Sequence, residues 1–193
     1  YLFGMVPIRI LLAHERFRYA EHLCSLDADA RRLRFARAIN AQGIRDYVAG
    51  LDHPRHAILV HEDDRLAIAG AVLVTCRDRA FAEMAFSVDR AWRGQGLATE
   101  LAHRAMLWAR NRDIKQVGIY CLVENVPMRR LARRISMSIT IEGADCEGTL
   151  VLPRRTPLSL LQEMIGEGTG LVDHFAKRNR LLNPLPPRRR RVA

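Results

Sequence analysis

The stretch Val88-Asp89-Arg90-Ala91-Trp92-Arg93-Gly94-Gln95-Gly96-Leu97-Ala98 constrains this chain more than any other. A strand-like run, Ala80–Val88, enters it, and an amphipathic helix over 97–112 leaves it. Between them an arginine and two glycines stand where the backbone must bend tightly. Such a junction gathers unpaired backbone N–H groups at a helix N-terminus, which is a ready anion site. Glycines allow a phosphate to approach the main chain, and Arg93 adds a charged fork. The pattern is that of a pyrophosphate holder built without a P-loop.

The elements around the junction follow from periodicity and turn chemistry. Residues 7–12 read as a first strand, 17–26 and 27–39 as helices, and 43–51 as a third helical piece. Asp27 or Asp29 can cap the second helix. Strands over 56–61 and 66–76 flank the polar turn Glu62-Asp63-Asp64-Arg65, and 81–88 follows as the next strand. The helix from Leu97 carries an apolar stripe suited to lying on a sheet, with Glu100 and Arg104 able to pair on its outer face. Residues 116–123 are apolar at alternate positions of both faces, as in a covered central strand containing Cys121 as a small core residue. A helix over 126–135 and a hairpin of 137–141 with 149–152 complete the set. Residues 154–180 read as helical but broken by Gly166, Gly168 and Gly170, and the Pro/Arg-rich end from 183 as extended and disordered. The expected division is a domain over 6–153, a helical extension over 154–182 and a tail over 183–193.

Composition excludes several classes. No apolar run approaches a membrane span, and no basic region precedes an apolar core with a cleavage site, so the chain is expected in the cytoplasm. The four cysteines form no C-x-x-C pair, and the seven histidines show no ligand spacing; no metal is expected. Of the net charge of +10, seven charges lie after Asp173, where no acid remains, leaving +3 for the rest. The surplus belongs to the tail and not to a basic face, so nucleic acid is not an expected partner.

The string Arg93-Gly94-Gln95-Gly96-Leu97-Ala98, set after a strand triplet and before an amphipathic helix, resembles the Arg/Gln-x-x-Gly-x-Gly/Ala signature of the GNAT (Gcn5-related N-acetyltransferase) superfamily. Asn125, just after the next strand, matches an Asn often found there. Ala82-Glu83-Met84-Ala85-Phe86-Ser87-Val88 and the run from Asn125 through Met128, Leu131 and Ala132 are similar to segments of bacterial protein-lysine acetyltransferases. The resemblance covers roughly 8–152. It implies an α/β fold: a mixed, mostly antiparallel sheet of seven strands flanked by helices and splayed between strands four and five.

The resemblance also implies acetyl-CoA as acyl donor. By it, the amides of Gly94, Gln95, Gly96, Leu97 and Ala98, supported by Arg93, hold the pyrophosphate. The pantetheine arm runs beside Phe86 and Val88, and Asn125 bonds it from the other side. The acceptor is an amine: a protein lysine, an N-terminal amine or a small molecule. An ammonium with a pKa of about 10.4 must lose a proton before it attacks, and Glu83 is the candidate acceptor of that proton. Ordinary roles stand beside these: a tight turn for Arg93 and its glycines, an N-cap for Asn125, an ion-paired strand residue for Glu83. The tyrosine that many relatives place on the helix after strand five falls at Ala132, which leaves open a module that binds acetyl-CoA without efficient catalysis. Ser87 and Tyr120 are candidates for the cleft lining and read as packing or edge residues. Acidic lining for a cationic substrate could come from Glu62, Asp63, Asp64 or Glu124. Oligomeric state is open, a dimer included.

Overall fold

The computed structural model describes residues 6–51, 55–78 and 80–183. Seven strands form one sheet in the order β1-β2-β3-β4-β5-β7-β6. They are β1 (Arg9–Ile10), β2 (His56–Glu62), β3 (Ile68–Cys76), β4 (Phe81–Val88), β5 (Gln116–Leu122), β6 (Ser138–Glu142) and β7 (Asp145–Val151). Every neighbouring pair is antiparallel except β4 and β5, the one parallel contact. The helix α4 (Leu97–Asn111) supplies the crossover that a parallel pair requires. The fold is the expected one, and the extended tail lies outside the described residues.

Alternation on β2 and β3 splits the core in two. Leu59, Val72 and Val74 pack under α4 and α5 (Val126–Arg134), whereas Ile58, Val60, Ala71 and Leu73 pack under α1 (Arg16–Ser25) and α3 (Ala41–Ala49). Between α1 and α3 runs α2 (Ala28–Phe35), whose N-cap is Asp27. The helical reading of 27–39 is thus cut short, because Ala36 adopts a left-handed conformation that ends α2.

Pairing of β4 with β5 stops early. It covers Phe81↔Gln116, Ala82↔Val117 and Glu83↔Gly118 only. Past this point β4 runs on to Val88 and β5 to Leu122 without pairing to each other, so the two strands part. The covered-strand reading of β5 holds only for its first half: Tyr120 is exposed and Cys121 half-buried at the opening.

The last helix differs most from its expected form. It is one unbroken helix, α6 (Pro157–Leu182), opened by a capping box between Thr156 and Ser159. Local propensity counts glycine as a breaker, but here tertiary packing requires it. A Cβ at Gly170 would lie 2.5 Å from the Ile8 carbonyl oxygen, so only glycine lets α6 approach β1. The helix is then pinned by buried charge. Glu62 receives Arg9 at 2.9 and 3.0 Å and His174 at 2.7 Å, while Lys177 donates to the Glu62 carbonyl at 2.6 Å. Arg9 also binds Glu15 at 2.7 Å through both terminal nitrogens. Burial alone would push the Glu62 carboxyl up, but the bonds from Arg9, His174 and Arg18 outweigh it and hold it at about 2. Arg104 also turns to this helix, meeting Glu167 at 3.6 Å in place of the expected Glu100.

Candidate active site

Where β4 and β5 part, a cleft of about 670 Å³ opens, walled by both strands and by α2, α4 and α5. The bend after β4 forms one end. Asp89 accepts from Ala91 N at 3.2 Å and turns the chain through a single 3-10 turn. Gly94 and Gly96 then take φ of 76° and 85°, a left-handed backbone that side-chain-bearing residues adopt only with strain. Gly96 is the N-cap of α4 and offers no side-chain cap. None of the amides from Gly94 to Ala98 donates to a protein acceptor among the described residues. A Cβ on either glycine would meet nothing within 4 Å, so the approach to these amides is open.

Arg93 does not swing freely. Its Nε donates to the Val88 carbonyl at 3.1 Å, and its Nη2 pairs with Asp27 at 3.2 Å. Gln95 folds back, donating to the Ala91 carbonyl at 2.8 Å, so it contributes its amide to the bend and not its side chain. Leu97 and Ala98 begin α4 on the cleft wall.

Phe86 and Val88 line the β4 side of the cleft. Across from them Asn125 is buried and accepts from Met128 N at 3.2 Å, the N-cap reading, while its amide nitrogen has no acceptor among the described residues. Asn125 thus caps α5 through its side-chain oxygen and borders the cleft.

Glu83 stands at the last paired position of β4, at the vertex of the opening, and not on the cleft wall itself. Its carboxylate pairs with Arg77 at 3.0 Å. Arg77 lies over the rings of Phe81 and Tyr120, and Tyr120 donates to Glu147 Oε1 at 2.8 Å. Strand register places Glu83, Tyr120 and Glu147 on one sheet face, because Glu83 faces Gly118, two residues before Tyr120, and Tyr120 faces Glu147. This carboxylate–arginine–tyrosine cluster was not legible in the sequence, since Arg77 and Glu147 carry no motif. Alternation along β5 is the one signal that could have put Tyr120 beside Glu83. Burial, reinforced by Glu147, raises the Tyr120 hydroxyl above its ordinary value.

Other expectations need correction. The carboxylate of Glu62 is buried against Arg9, Asp63 caps its own turn through Arg65 N and Ala67 N, and Glu124 pairs with Arg32. The acids that do line the cleft are Asp27 and Asp29. Ser87 and Tyr120, read as packing or edge residues, both line the cleft, with the Ser87 hydroxyl 3.0 Å from the buried His22. Cys121 borders the cleft and does not belong to the core; burial and the neighbouring Cys146 push its thiol up to about 12. Among the described residues no group of three or more His, Cys, Asp or Glu side chains could hold a metal ion, and no helix is long and apolar enough to cross a membrane.

Residues 9–138 match a family model described as an acetyltransferase (GNAT) domain. Solved structures share the fold. The GNAT domain of PAT from S. lividans is 17% identical with a TM-score of 0.65, covering 75% of this chain and 89% of that one. An acetyltransferase of the GNAT family from Streptococcus pneumoniae is 15% identical with a TM-score of 0.57, covering 76% and 98%. Spermidine N-acetyltransferase from Vibrio cholerae, solved with CoA and spermine, is 14% identical with a TM-score of 0.61, covering 77% and 96%.

Proposed function

Because the chain belongs to the GNAT acetyltransferase family, we propose that it transfers an acetyl group from acetyl-CoA to a primary amine by direct attack. The observation that carries this reading is the set of unpaired amides from Gly94 to Ala98 opening onto a cleft between unpaired strand edges. Five N–H groups at a helix N-terminus suit a diphosphate. Arg93, anchored at Val88 and Asp27, adds positive charge beside it. The parted edges of β4 and β5 carry backbone donors and acceptors that suit the amide-bearing pantetheine arm, with Phe86 and Val88 on one side and Asn125 on the other.

Acetyl-CoA supplies an activated acyl thioester. The protein's part is to bind it, to orient it and to take a proton. Glu83, at the vertex, accepts the proton of the attacking ammonium directly or through one water, so that the nitrogen lone pair is free. In the resting protein Arg77 holds that carboxylate, and an incoming ammonium competes for it. Cys121, with its thiol held protonated near pH 7, is a poor nucleophile, which favours direct transfer over an acyl-cysteine route. A second carboxylate, Glu147, lies on the same face and accepts from the Tyr120 hydroxyl.

The acceptor class within primary amines is a protein lysine, an N-terminus or a small amine. Calorimetry with acetyl-CoA tests the donor, and a mass-spectrometric screen of acetyl transfer to peptides and small amines tests the acceptor. Absence of acetyl-CoA binding by the intact chain would overturn the reading. A second reading, a binding module with poor turnover, is favoured by Ala132, a buried side chain without an acidic group on α5. Turnover of any amine that is lost in Glu83→Gln would rule it out.

A further inference from the structure

We infer that α6 is a dimerisation helix whose outer seam pairs antiparallel with the same helix of a second copy of this chain. This inference is independent of the acetyl-transfer site. The helix contacts its own body through one side only: Ser159, Gly166, Gly170 and Lys177 are its buried positions. On the opposite side Leu158, Leu161, Ile165, Val172, Phe175 and Leu182 are all exposed by half or more, Val172 and Leu182 by 70%. With Gly168 and Asn179 in the intervening places, these positions alternate at spacings of three and four residues for the whole helix. Six of these eight positions are apolar, the a/d spacing of a two-stranded coiled coil over three and a half heptads. The body-facing residues fall at the b, c and f positions, so the seam points directly away from the sheet.

The occupant is argued from area and from self-complementarity. With the flanking Met164, 71% exposed, the seam bares roughly 800 Å² of apolar surface. A typical monomer's largest patch is about 300–600 Å², and each partner of a standard stable interface buries about 800 Å². A two-fold axis makes one such patch sufficient, because it meets itself.

Side-chain size selects the direction. In a parallel pair Gly168 would face Gly168 and leave a void, while Phe175 would face Phe175. With the axis between Gly168 and Val172, an antiparallel pair sets Gly168 against Val172, Ile165 against Phe175, Leu158 against Leu182 and Leu161 against Asn179, the one layer with a polar member. The exposed Arg178 then lies across from Met164, so the arginines of the two copies are kept apart, and the helix dipoles oppose.

Sedimentation of the full chain at micromolar concentration tests this. The wild type is expected at twice the 22.0 kDa of one chain, and Ile165→Asp and Val172→Glu each at half the wild-type mass. The circular dichroism of both variants should stay unchanged, because both side chains are more than half exposed and lie opposite the buried positions of α6. A wild type sedimenting as a single chain, or variants that remain dimeric while folded, would overturn the inference. Direction is read by oxidative cross-linking against a wild-type control. The double variant Leu158→Cys with Leu182→Cys should cross-link between chains and either single variant should not; cross-linking of Leu182→Cys alone would overturn the antiparallel arrangement.

Discussion

Arg93 and Asp27 are joined across the mouth of the cleft at 3.2 Å, and Asp27 uses its other oxygen to cap α2 through Ala30 N at 2.8 Å. The same carboxylate therefore ties the anion-holding bend to the start of the helix that walls the cleft. The backbone bond at Ala30, followed by the guanidinium of Arg93, holds the Asp27 carboxyl below its usual range. Asp27→Ala removes both links. It should lower stability by about 1 kcal/mol through the lost cap, with an exposed ion pair adding about 0–1 kcal/mol at most, and should weaken acetyl-CoA binding measured by calorimetry.

Gly96→Ala separates backbone strain from packing. Its φ is 85° and the space beyond its Cα is open, so the cost is conformational, about 1–2 kcal/mol. Thermal melting should report that loss, and calorimetry should report weaker acetyl-CoA binding than in wild type. Gly96→Glu should go further and abolish the thermal shift that acetyl-CoA produces, because it places a carboxylate beside the diphosphate.

Glu83→Gln should leave acetyl-CoA affinity unchanged and lower kcat by about 10²–10⁴-fold, the usual contribution of a positioned general base. Unchanged turnover with a responsive amine would remove Glu83 from the mechanism. Arg77→Ala should retain binding and lower the KM for a cationic acceptor, since it frees the carboxylate from its internal partner.

The docking of α6 should be acid-sensitive. The Glu62 carboxyl sits at about 2 in the folded chain, against 4.5 for the unperturbed group. Its stabilising contribution is complete above pH 4.5 and is lost as pH falls through that window toward 2. Denaturant midpoints measured across this range should fall with pH, and Glu62→Gln should flatten the dependence. That variant should also cost about 1–3 kcal/mol, because it weakens the buried bonds from Arg9 and leaves Glu15 as the remaining carboxylate partner of that guanidinium.

Gly170→Ala should destabilise the chain by about 1–3 kcal/mol, the usual cost of overpacking. The added carbon would lie 2.5 Å from the Ile8 carbonyl, which belongs to backbone and cannot step aside as a side chain would. Chemical denaturation checks it, with Gly168→Ala, whose added carbon meets nothing within its own chain, as the contrasting stabilised or neutral case.

The strands, α4 and the bend were legible because each rests on local signals: alternation in β2 to β4, the apolar stripe of α4, and glycines where φ is positive. What escaped was set by contacts remote in sequence. Gly166 and Gly170 carry the composition of a broken helix, yet they mark close approach to Arg104 and Ile8. Glu62 carries the composition of an exposed turn acid, yet Arg9, His174 and Arg18 enclose it from three elements. The cluster of Arg77, Tyr120 and Glu147 arises from strand register, which no single segment specifies.

Only three rungs, from Phe81 to Glu83, stitch β1–β4 to β5, β7 and β6. The sheet is thus two leaves on a short spine, with α4 as the strap that keeps them from separating. A guest lodged between the leaves supplies the missing rungs itself, so occupancy and the cohesion of the whole molecule rise and fall together.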